Sequence, residues 1–413
     1  MTNTDNLLVS FNDGASERRV GTLVRDARTI YFRYDRDWLR TGFNLSPYKL
    51  AFDRRPQQTD VTCFDGLFGV FADSLPDGWG RLLLDRLLTE RLTNLDEVTA
   101  LDRLAYVGAN GAGALTYQPA RPVTGRARSE VKLDELSDAA ATLLRGQDTE
   151  VLETLVQFGG SSGGARPKIN VGYHPATGAL MPDQAKLPAG FEHWLIKFGA
   201  TGDPPDIGAI EYTYHEMAVR AGIKMTTCRL FTGESGRRYF GTKRFDRRGS
   251  ERLHLHSVAG LLHDNFRYTN VDYGNVMHAA FRLTKHVGVY ETVLRLAAFN
   301  VFAHNHDDHS KNISFRCDGS GNWSLAPAYD LTFSRSPYGH QSMSVAGTHR
   351  PDRAALVALG TDFGVRIPAA IVEEVRQAVA AWPGLARKNG VTAASERLIS
   401  GGLTAAASQI DKR

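Results

Sequence analysis

The alternation of apolar and polar residues along the chain predicts a mixture of strands and helices. Residues 29–35 (TIYFRYD) alternate with a period of two, which is typical of a half-buried strand. Further short strands are predicted at residues 193–198 (HWLIKF) and 238–245 (RYFGTKRF). Residues 74–92 begin with a Ser-Leu-Pro-Asp-Gly turn and continue with leucines near one helical face. From about residue 250 onward the pattern is mostly helical, so the chain is expected to be an α+β protein.

A polar segment rich in proline, glycine and arginine, residues 119–130, interrupts this pattern and is interpreted as a linker. A chain of 413 residues is too long for one ordinary core, which favours two or three domains. We therefore predict an N-terminal subdomain at residues 1–120, a second unit at 130–248 and a mainly helical unit at 249–413.

Composition narrows the class of protein. Apolar residues make up 42% and charged residues 23%, which is ordinary for a soluble globular protein. Three widely spaced cysteines without a CxxC pair disfavour a disulfide framework and a structural zinc site. Because there is no bilayer-length apolar run and no secretion signal, we expect a cytoplasmic protein without a membrane partner.

The net charge of +4 is small. Basic clusters at residues 54–56 and 243–248 are interpreted as solvated, ion-paired faces rather than as a nucleic-acid patch. No zinc finger or convincing helix-turn-helix is present in the sequence.

The densest polar segment is residues 304–315, HNHDDHSKNISF. It follows residues 289–303, which are apolar on nearly every face and are therefore predicted to form a buried helix. A short strand, a turn and a returning strand that ends at Asp330 are predicted next. This order would bring Asp307, Asn312 and Asp330 together.

Phosphoryl transfer requires such a group. One carboxylate lies beside the attacking hydroxyl, and oxygen ligands hold Mg²⁺ against the nucleotide phosphates. Asp307 and Asn312 are five residues apart and Asp330 follows the hairpin, which is the spacing that protein kinases use. Lys311 is predicted to neutralise charge on the transferred phosphoryl group. The alternative is that these residues only cap a helix and decorate a loop.

A zinc site formed by His304, His306 and His309 is a further alternative. No cysteine is nearby and oxygen ligands are abundant, which suits a harder cation better than zinc.

Two upstream segments resemble the other parts of a nucleotide site. Residues 159–168 (GGSSGGARPK) are rich in glycine, which lets backbone N–H groups approach phosphate oxygens. They do not match the P-loop or GxGxxG patterns, so a glycine-rich hinge is the alternative. Lys197 lies in an apolar strand and needs an anionic partner if it is buried. Glu211 and Glu216 on the following helix are candidates, and a lysine that reaches solvent is the alternative.

Taken together, these segments resemble the HipA family of bacterial toxin kinases. The resemblance spans about residues 65 to 335 in family order. The matching motifs are LPDGWGR, GGSSGGARPK, WLIKF, RYFGTKRFDR, FNVFAHNHDDHSKN and APAYDLTFS.

The resemblance implies a two-lobed HipA/protein-kinase-like fold with an extra N-terminal α+β subdomain, an N-lobe at 130–248 and a helical C-lobe at 249–413. The implied activity is that of an ATP- and Mg²⁺-dependent serine/threonine protein kinase. Asp307 would be the catalytic base, Asn312 and Asp330 would hold Mg²⁺, and the backbone of residues 243–245 would meet the adenine. The residues implied to bind ATP are Gly163, Gly164, Ala165, Arg166, Lys168, Lys197, Lys243, Arg244, Phe245, His309, Lys311, Asn312, Tyr329 and Asp330.

The resemblance also implies regulation and partners. Ser161, or the adjacent Ser162, matches a serine that family members autophosphorylate, and a phosphate in this loop would compete with ATP. The implied partner is a HipB-like DNA-binding antitoxin that mediates DNA contact. The implied substrate is a translation component such as an aminoacyl-tRNA synthetase.

Two other functions stay open at this point. A small-molecule phosphotransferase of the aminoglycoside-kinase type shares the catalytic loop pattern but gives no reason for the LPDGWGR segment. A kinase-fold corepressor would need no intact site, whereas Asp307, Asn312, Asp330 and Lys197 are all present.

Overall fold

The computed structural model describes residues 4–59, 62–91, 94–121, 131–147, 149–159, 163–336 and 338–411. Its buried apolar residues form three hydrophobic cores, one N-terminal, one central and one C-terminal. The two-lobed α+β architecture predicted from the sequence is confirmed. None of the described helices is long and apolar enough to cross a membrane.

The N-terminal core lies against a four-stranded antiparallel sheet with the order β3-β2-β1-β4. The strand predicted at residues 29–35 is confirmed as β3, and it buries alternate residues Ile30, Phe32 and Tyr34. The elements of this part are β1 (Asn6–Asn12), β2 (Glu17–Asp26), β3 (Thr29–Tyr34), α1 (Arg36–Thr41), α2 (Gly69–Ala72), α3 (Trp79–Glu90), α4 (Ala100–Val107) and β4 (Leu115–Gln118).

The central core lies against a five-stranded antiparallel sheet with the order β6-β5-β7-β9-β8. The elements of this part are α5 (Leu133–Leu144), α6 (Leu152–Gly159), β5 (Lys168–Tyr173), β6 (Leu180–Pro182), β7 (Glu192–Lys197), α7 (Ile207–Arg220), β8 (Cys228–Thr232) and β9 (Arg238–Lys243). Helix α3 inserts Trp79, Leu83 and Leu87 into this core, so the segment that follows the N-terminal sheet packs on the next unit. The domain boundaries at residues 120, 130 and 249 stay a prediction.

The C-terminal core surrounds one helix, which carries the polar segment at its end. The elements of this part are β10 (Arg247–Arg248), β11 (Glu251–Arg252), β12 (His254–Ser257), α8 (Val258–Leu262), α9 (Tyr273–Thr284), α10 (Val289–Phe302), β13 (Ser314–Cys317), β14 (Trp323–Leu325), α11 (Arg353–Asp362), α12 (Pro368–Ala380), α13 (Trp382–Lys388) and α14 (Ala393–Asp411). Helix α10 buries ten of its fourteen residues and packs on α9, α11, α12 and α14. The prediction of a buried helix at residues 289–303 is therefore confirmed.

The returning strand was predicted to reach Asp330, and this is wrong, because β14 ends at Leu325. Pro327 has no N–H to donate to a strand ladder, and Ala328 instead pairs with Met225 in an isolated parallel bridge. Asp330 consequently lies in a loop, with a left-handed φ of 54°.

A buried charge cluster joins the three parts of the chain. Asp246, which is 5% exposed, accepts hydrogen bonds from Arg244 Nη2 at 2.8 Å and from Arg247 Nη1 at 2.7 Å. It also accepts the backbone N–H of Gly113 at 2.8 Å. Both arginines therefore depend on this carboxylate to compensate their loss of water, and together they hold the pKa of Asp246 well below its ordinary value against the effect of burial.

We predict that Asp246→Asn lowers the free energy of unfolding by about 3–5 kcal/mol, because it leaves the buried guanidinium of Arg247 without a counter-charge and leaves Arg244 with Asp183 alone. Asp138→Asn is the matched control. Its carboxylate is 66% exposed and pairs with Arg237 at the surface, so a loss below about 1 kcal/mol is expected. Urea denaturation measures both values, and equal losses would contradict this account of the cluster.

Candidate active site

The polar segment that follows α10, residues 304–315, is called the polar loop here. It is held in place by the segment after Asp330. The backbone N–H of Asp307 donates to Ser334 Oγ at 3.0 Å. The hydroxyl of Ser342 donates to the carbonyl oxygen of His306 at 2.7 Å. Because these bonds reach the loop from residues about thirty positions later, the loop geometry depends on the tertiary fold rather than on local sequence.

Two neighbouring carboxylates in this loop have opposite environments. Asp308 is 2% exposed, with Tyr273 Oη 3.0 Å from its Oδ2, and it accepts the backbone N–H of Ser342 at 2.8 Å. Burial raises the pKa of Asp308 to about 7. The side chain of Asp307 is 67% exposed and is therefore accessible to a reactant from solvent. Of the two, Asp307 is therefore the carboxylate that is accessible for chemistry, and Asp308 supports the loop.

Asp307 and Asn312 are brought together as the sequence predicted. The amide nitrogen of Asn312 donates to the carbonyl oxygen of Asp307 at 2.8 Å, so the amide oxygen is the remaining ligand atom. His309 Nε2 lies 3.7 Å from Asp307 Oδ1. The surrounding protein atoms partly desolvate Asp307 and raise its pKa. Asp330 adds to this shift and His309 opposes it.

Lys197 connects three elements of the site. Its Nζ, at the end of β7, lies 2.5 Å from Asp330 Oδ1 and 3.1 Å from Glu211 Oε2 on α7. Burial disfavours the charge of Lys197, but the two carboxylates outweigh it and hold its pKa above the ordinary value. Burial also disfavours the charge of Asp330, which by itself would raise its pKa. Lys197 and, to a lesser extent, Lys168 outweigh this effect and hold the pKa of Asp330 well below its ordinary value.

Of the two candidate glutamates, the structure places Glu211 beside Lys197. Glu216 lies elsewhere on α7 and pairs with Lys388 at 2.7 Å and with the amide of Asn389 at 2.8 Å. Both glutamates lie on α7, which begins at Ile207.

The end of the glycine-rich segment adds two further cations. Arg166 donates to Glu211 at 2.5 Å and to Asp203 at 3.1 Å. Lys168 Nζ donates to the carbonyl oxygen of Gly163 at 2.5 Å. Burial lowers the pKa of Lys168 to about 8, and Asp330 opposes that shift. Three cationic side chains thus lie together at this end of the site, where Asp203, Glu211 and Asp330 balance their charge and where phosphate groups would be stabilised when they bind.

Sequence reasoning assigned no site role to Asp77, although the LPDGWGR motif that contains it was recognised. Asp77 Oδ2 lies 3.0 Å from Lys311 Nζ. The adjacent backbone N–H of Trp79 donates to the carbonyl oxygen of Gly164 at 2.9 Å. Gly78 has a φ of 49°, and a Cβ there would lie 2.5 Å from the same carbonyl oxygen. The motif therefore contacts both the glycine-rich segment and the polar loop.

The remaining predicted residues lie at the end of β9 and in the loop that follows β14. Phe245 stacks on Tyr329 with ring centroids 5.4 Å apart. Lys243 pairs with Glu192 at 2.7 Å, and its backbone N–H donates to Thr227. Arg244 is held by Asp183 and by the buried charge cluster. Contact between adenine and residues 243–245 stays a prediction.

Three further predicted positions belong to the glycine-rich segment. Ala165 is exposed, between Gly164 and Arg166. Ser161 and Ser162 lie outside the residues that the structure describes.

The zinc alternative finds no support in the geometry. His304 and His306 stack on each other with ring centroids 4.0 Å apart, whereas His309 packs against Phe266. Across the described ranges, no group of three or more histidine, cysteine, aspartate or glutamate residues is arranged to hold a metal ion.

Comparison with known proteins gives the family. Residues 14–118 match the model of the HipA N-terminal domain, and residues 160–382 match that of the HipA-like C-terminal domain. This chain belongs to the HipA family. The predicted membership is thereby confirmed.

The fold of this HipA-family protein is similar to that of a solved complex from Shewanella oneidensis MR-1, which contains HipA, HipB and operator DNA. The identity is 18% and the TM-score is 0.68, over 98% of this chain and 97% of that chain. A Helicobacter pylori proinflammatory kinase, CtkA, shows 12% identity and a TM-score of 0.29 over 51% of this chain and 92% of that chain, and this TM-score is too low to indicate a shared fold. No curated protein sequence matches the chain.

The environment of Asp308 generates a test of the loop. Because its pKa rises from 3.8 to about 7 on folding, its contribution to stability is complete below pH 4 and is lost as the pH rises towards 7. Asp308→Asn removes this titration. We expect wild-type stability to fall relative to the variant by up to about 4 kcal/mol between pH 4 and pH 8. Urea denaturation across this range measures the difference, and a constant difference would contradict a buried, titrating Asp308.

Proposed function

We propose that this HipA-family protein is an ATP- and Mg²⁺-dependent serine/threonine protein kinase. The observation that carries the proposal is the position of Lys197, which contacts Glu211 on the neighbouring helix and Asp330 after the hairpin. Protein kinases use a strand lysine paired with a helical glutamate to hold nucleotide phosphates, together with a metal-binding aspartate after the catalytic loop.

The residues present fit a magnesium ion. The amide oxygen of Asn312 and the carboxylate of Asp330 are hard oxygen donors, and Mg²⁺ takes only one or two carboxylates in nucleotide sites and completes its shell with water and phosphate. When bound, it would neutralise charge on the phosphates. Lys197 and Asp330 neutralise one another in this structure. Binding an anionic nucleotide together with a cation therefore leaves neither side chain buried without a partner.

The roles of the chain's own residues follow from their environments. Lys197, Lys168 and Arg166 bind and orient the phosphates. Asp307 accepts the proton of the acceptor hydroxyl as that oxygen bonds to the γ-phosphorus and ADP leaves. Its exposure leaves room for an acceptor side chain, whereas the buried Asp308 is inaccessible.

We further propose that the protein is the toxin of a toxin–antitoxin pair, with a HipB-like antitoxin that mediates DNA contact and a translation component, such as an aminoacyl-tRNA synthetase, as substrate. The match to a HipA–HipB–operator complex supports the antitoxin as the partner to test first. The contact of Asp77 with Lys311 favours this function over a small-molecule phosphotransferase, because it gives the N-terminal motif a role at the site.

We predict that Asp307→Gln reduces phosphate transfer from ATP to protein by about 10²–10⁴-fold, because the variant lacks the group that takes the proton. Incorporation of γ-labelled phosphate measures the loss, and the melting temperature is expected to stay unchanged. Asp362→Gln, at an exposed position at the end of α11, is the matched control. Full activity of the Asp307 variant would remove this residue from its role.

A second prediction concerns the glycine-rich segment. Incubation of the purified protein with Mg²⁺ and ATP should add a phosphate at Ser161 or Ser162, because these serines lie in the glycine-rich segment and match the serine that family members autophosphorylate. A phosphate dianion in this segment would then compete with ATP. Mass spectrometry of the Ser161→Ala and Ser162→Ala variants identifies the position. Modification that persists in both single variants and disappears in the double variant would mean that both serines are used. Absence of phosphate in the wild type would refute this regulation.

A further inference from the structure

A second cavity, of about 650 Å³, lies between the polar loop, the segment that follows Asp330 and helix α14. We call it the histidine–arginine pocket. Its lining includes four histidines, two arginines, two glutamines and a serine, and no aspartate or glutamate among the described residues. The lining residues are Val301, His304, His306, Arg335, Ser336, Gly339, His340, Gln341, His349, Arg350, Pro351, Ala405, Ala406, Gln409 and Ile410.

One lining residue carries unsatisfied polar atoms. Gln341 is 3% exposed, and neither its amide nitrogen nor its amide oxygen has a hydrogen-bond partner among the described residues. A buried polar group left in this state costs about 1–3 kcal/mol. The proposed kinase chemistry does not use Gln341, so a ligand of the pocket that both accepts and donates hydrogen bonds, as an anionic side chain and the backbone of a peptide do together, would account for it.

The histidines are held in fixed orientations. His340 Nδ1 and His349 Nδ1 lie 2.8 Å and 3.1 Å from the carbonyl oxygen of Gln341 and donate to it. The backbone N–H of Ser336 donates to His306 Nδ1 at 3.4 Å. Burial, His304 and His340 lower the pKa of His306 to about 4, so its ring is neutral at pH 7 and carries its proton on Nε2. A neutral His306 and two permanently charged arginines therefore line the same pocket.

The pocket and the proposed catalytic base belong to the same piece of structure. His306 directly precedes Asp307 in the chain. The segment that supplies Arg335 and Gln341 to the pocket also holds the backbone of Asp307 through Ser334. A molecule in the pocket is therefore held by the same loop that presents the base.

We propose that the histidine–arginine pocket binds an anionic side chain, a carboxylate or a phosphate monoester, on a peptide segment of the protein acceptor. Arg335 and Arg350 would pair with the anion, since guanidinium groups match the geometry of carboxylates and phosphates. The cavity is large enough for part of a peptide and has an apolar wall formed by Ala405, Ala406 and Ile410. This inference rests on the proposed kinase function for the identity of the ligand as an acceptor.

The test is direct binding, which needs no catalysis. The probe is a short fluorescein-labelled, alanine-rich peptide with one central serine, whose flanking residues are aspartate, phosphoserine or alanine. Fluorescence anisotropy with the full-length protein should show that the two anionic peptides bind about tenfold more tightly than the neutral one. The advantage should disappear in the Arg335→Gln/Arg350→Gln variant and decrease in Gln341→Leu.

Arg366→Gln is the matched control, because Arg366 is exposed in the same lobe and does not line the pocket. It should keep the tenfold advantage, and melting temperatures establish that every variant is folded. Equal binding of the three peptides to the wild type would overturn the proposal, as would an advantage that survives the double substitution. Displacement of the peptide by an equal concentration of inorganic phosphate, or tighter arginine-dependent binding of a labelled single-stranded RNA, would overturn the peptide as the ligand.

Calorimetry of wild-type protein with Mg²⁺ and ATP separates the two proposals. Nucleotide binding without peptide discrimination refutes the pocket and leaves the kinase proposal standing. Peptide discrimination without nucleotide binding refutes the kinase proposal, and the pocket is then a peptide site of a protein that transfers no phosphate.

Discussion

The organisation of this protein depends on one buried cation. Lys197 is removed from water at the end of a central strand, and its charge is tolerated only because Glu211 and Asp330 both approach it. Each partner comes from a different element, one a helix of the central part and the other a loop of the C-terminal lobe. The requirement to compensate this charge therefore fixes how the two lobes meet, at a site where cations and carboxylates are paired.

The same principle separates the two adjacent aspartates. Asp308 is buried, which raises its pKa to about 7, and it ties the polar loop to α9 and to the segment that follows Asp330. The side chain of Asp307, the preceding residue, is exposed. In the proposed kinase, the exposed carboxylate would act on the acceptor while the buried one holds the loop, so the opposite environments of two identical side chains separate their proposed roles.

The N-terminal part contacts the candidate site directly and contributes residues to it. Helix α3 completes the central core, and the turn before it contacts the glycine-rich segment through Trp79 and the polar loop through Asp77. Gly78 is required at the close approach, since any side chain there would meet the backbone of Gly164. A change in the N-terminal part would therefore be transmitted to residues on both sides of the cleft.

The sequence by itself determined the elements and the inventory of the candidate site. The apolar pattern located strand β3, the buried helix α10 and the strand that carries Lys197, because a half-buried strand alternates and a fully buried helix is apolar on nearly every face, whatever the rest of the fold. The spacing of Asp307, Asn312 and Asp330, together with the family motifs, indicated which side chains belong together. Only the tertiary structure decided that Glu211 and not Glu216 faces Lys197, that β14 ends before Pro327, and that Asp77 reaches Lys311. These outcomes depend on contacts between residues far apart in the chain. Burial and charge compensation arise only when the chain is packed, so they produce no periodic pattern in the local sequence.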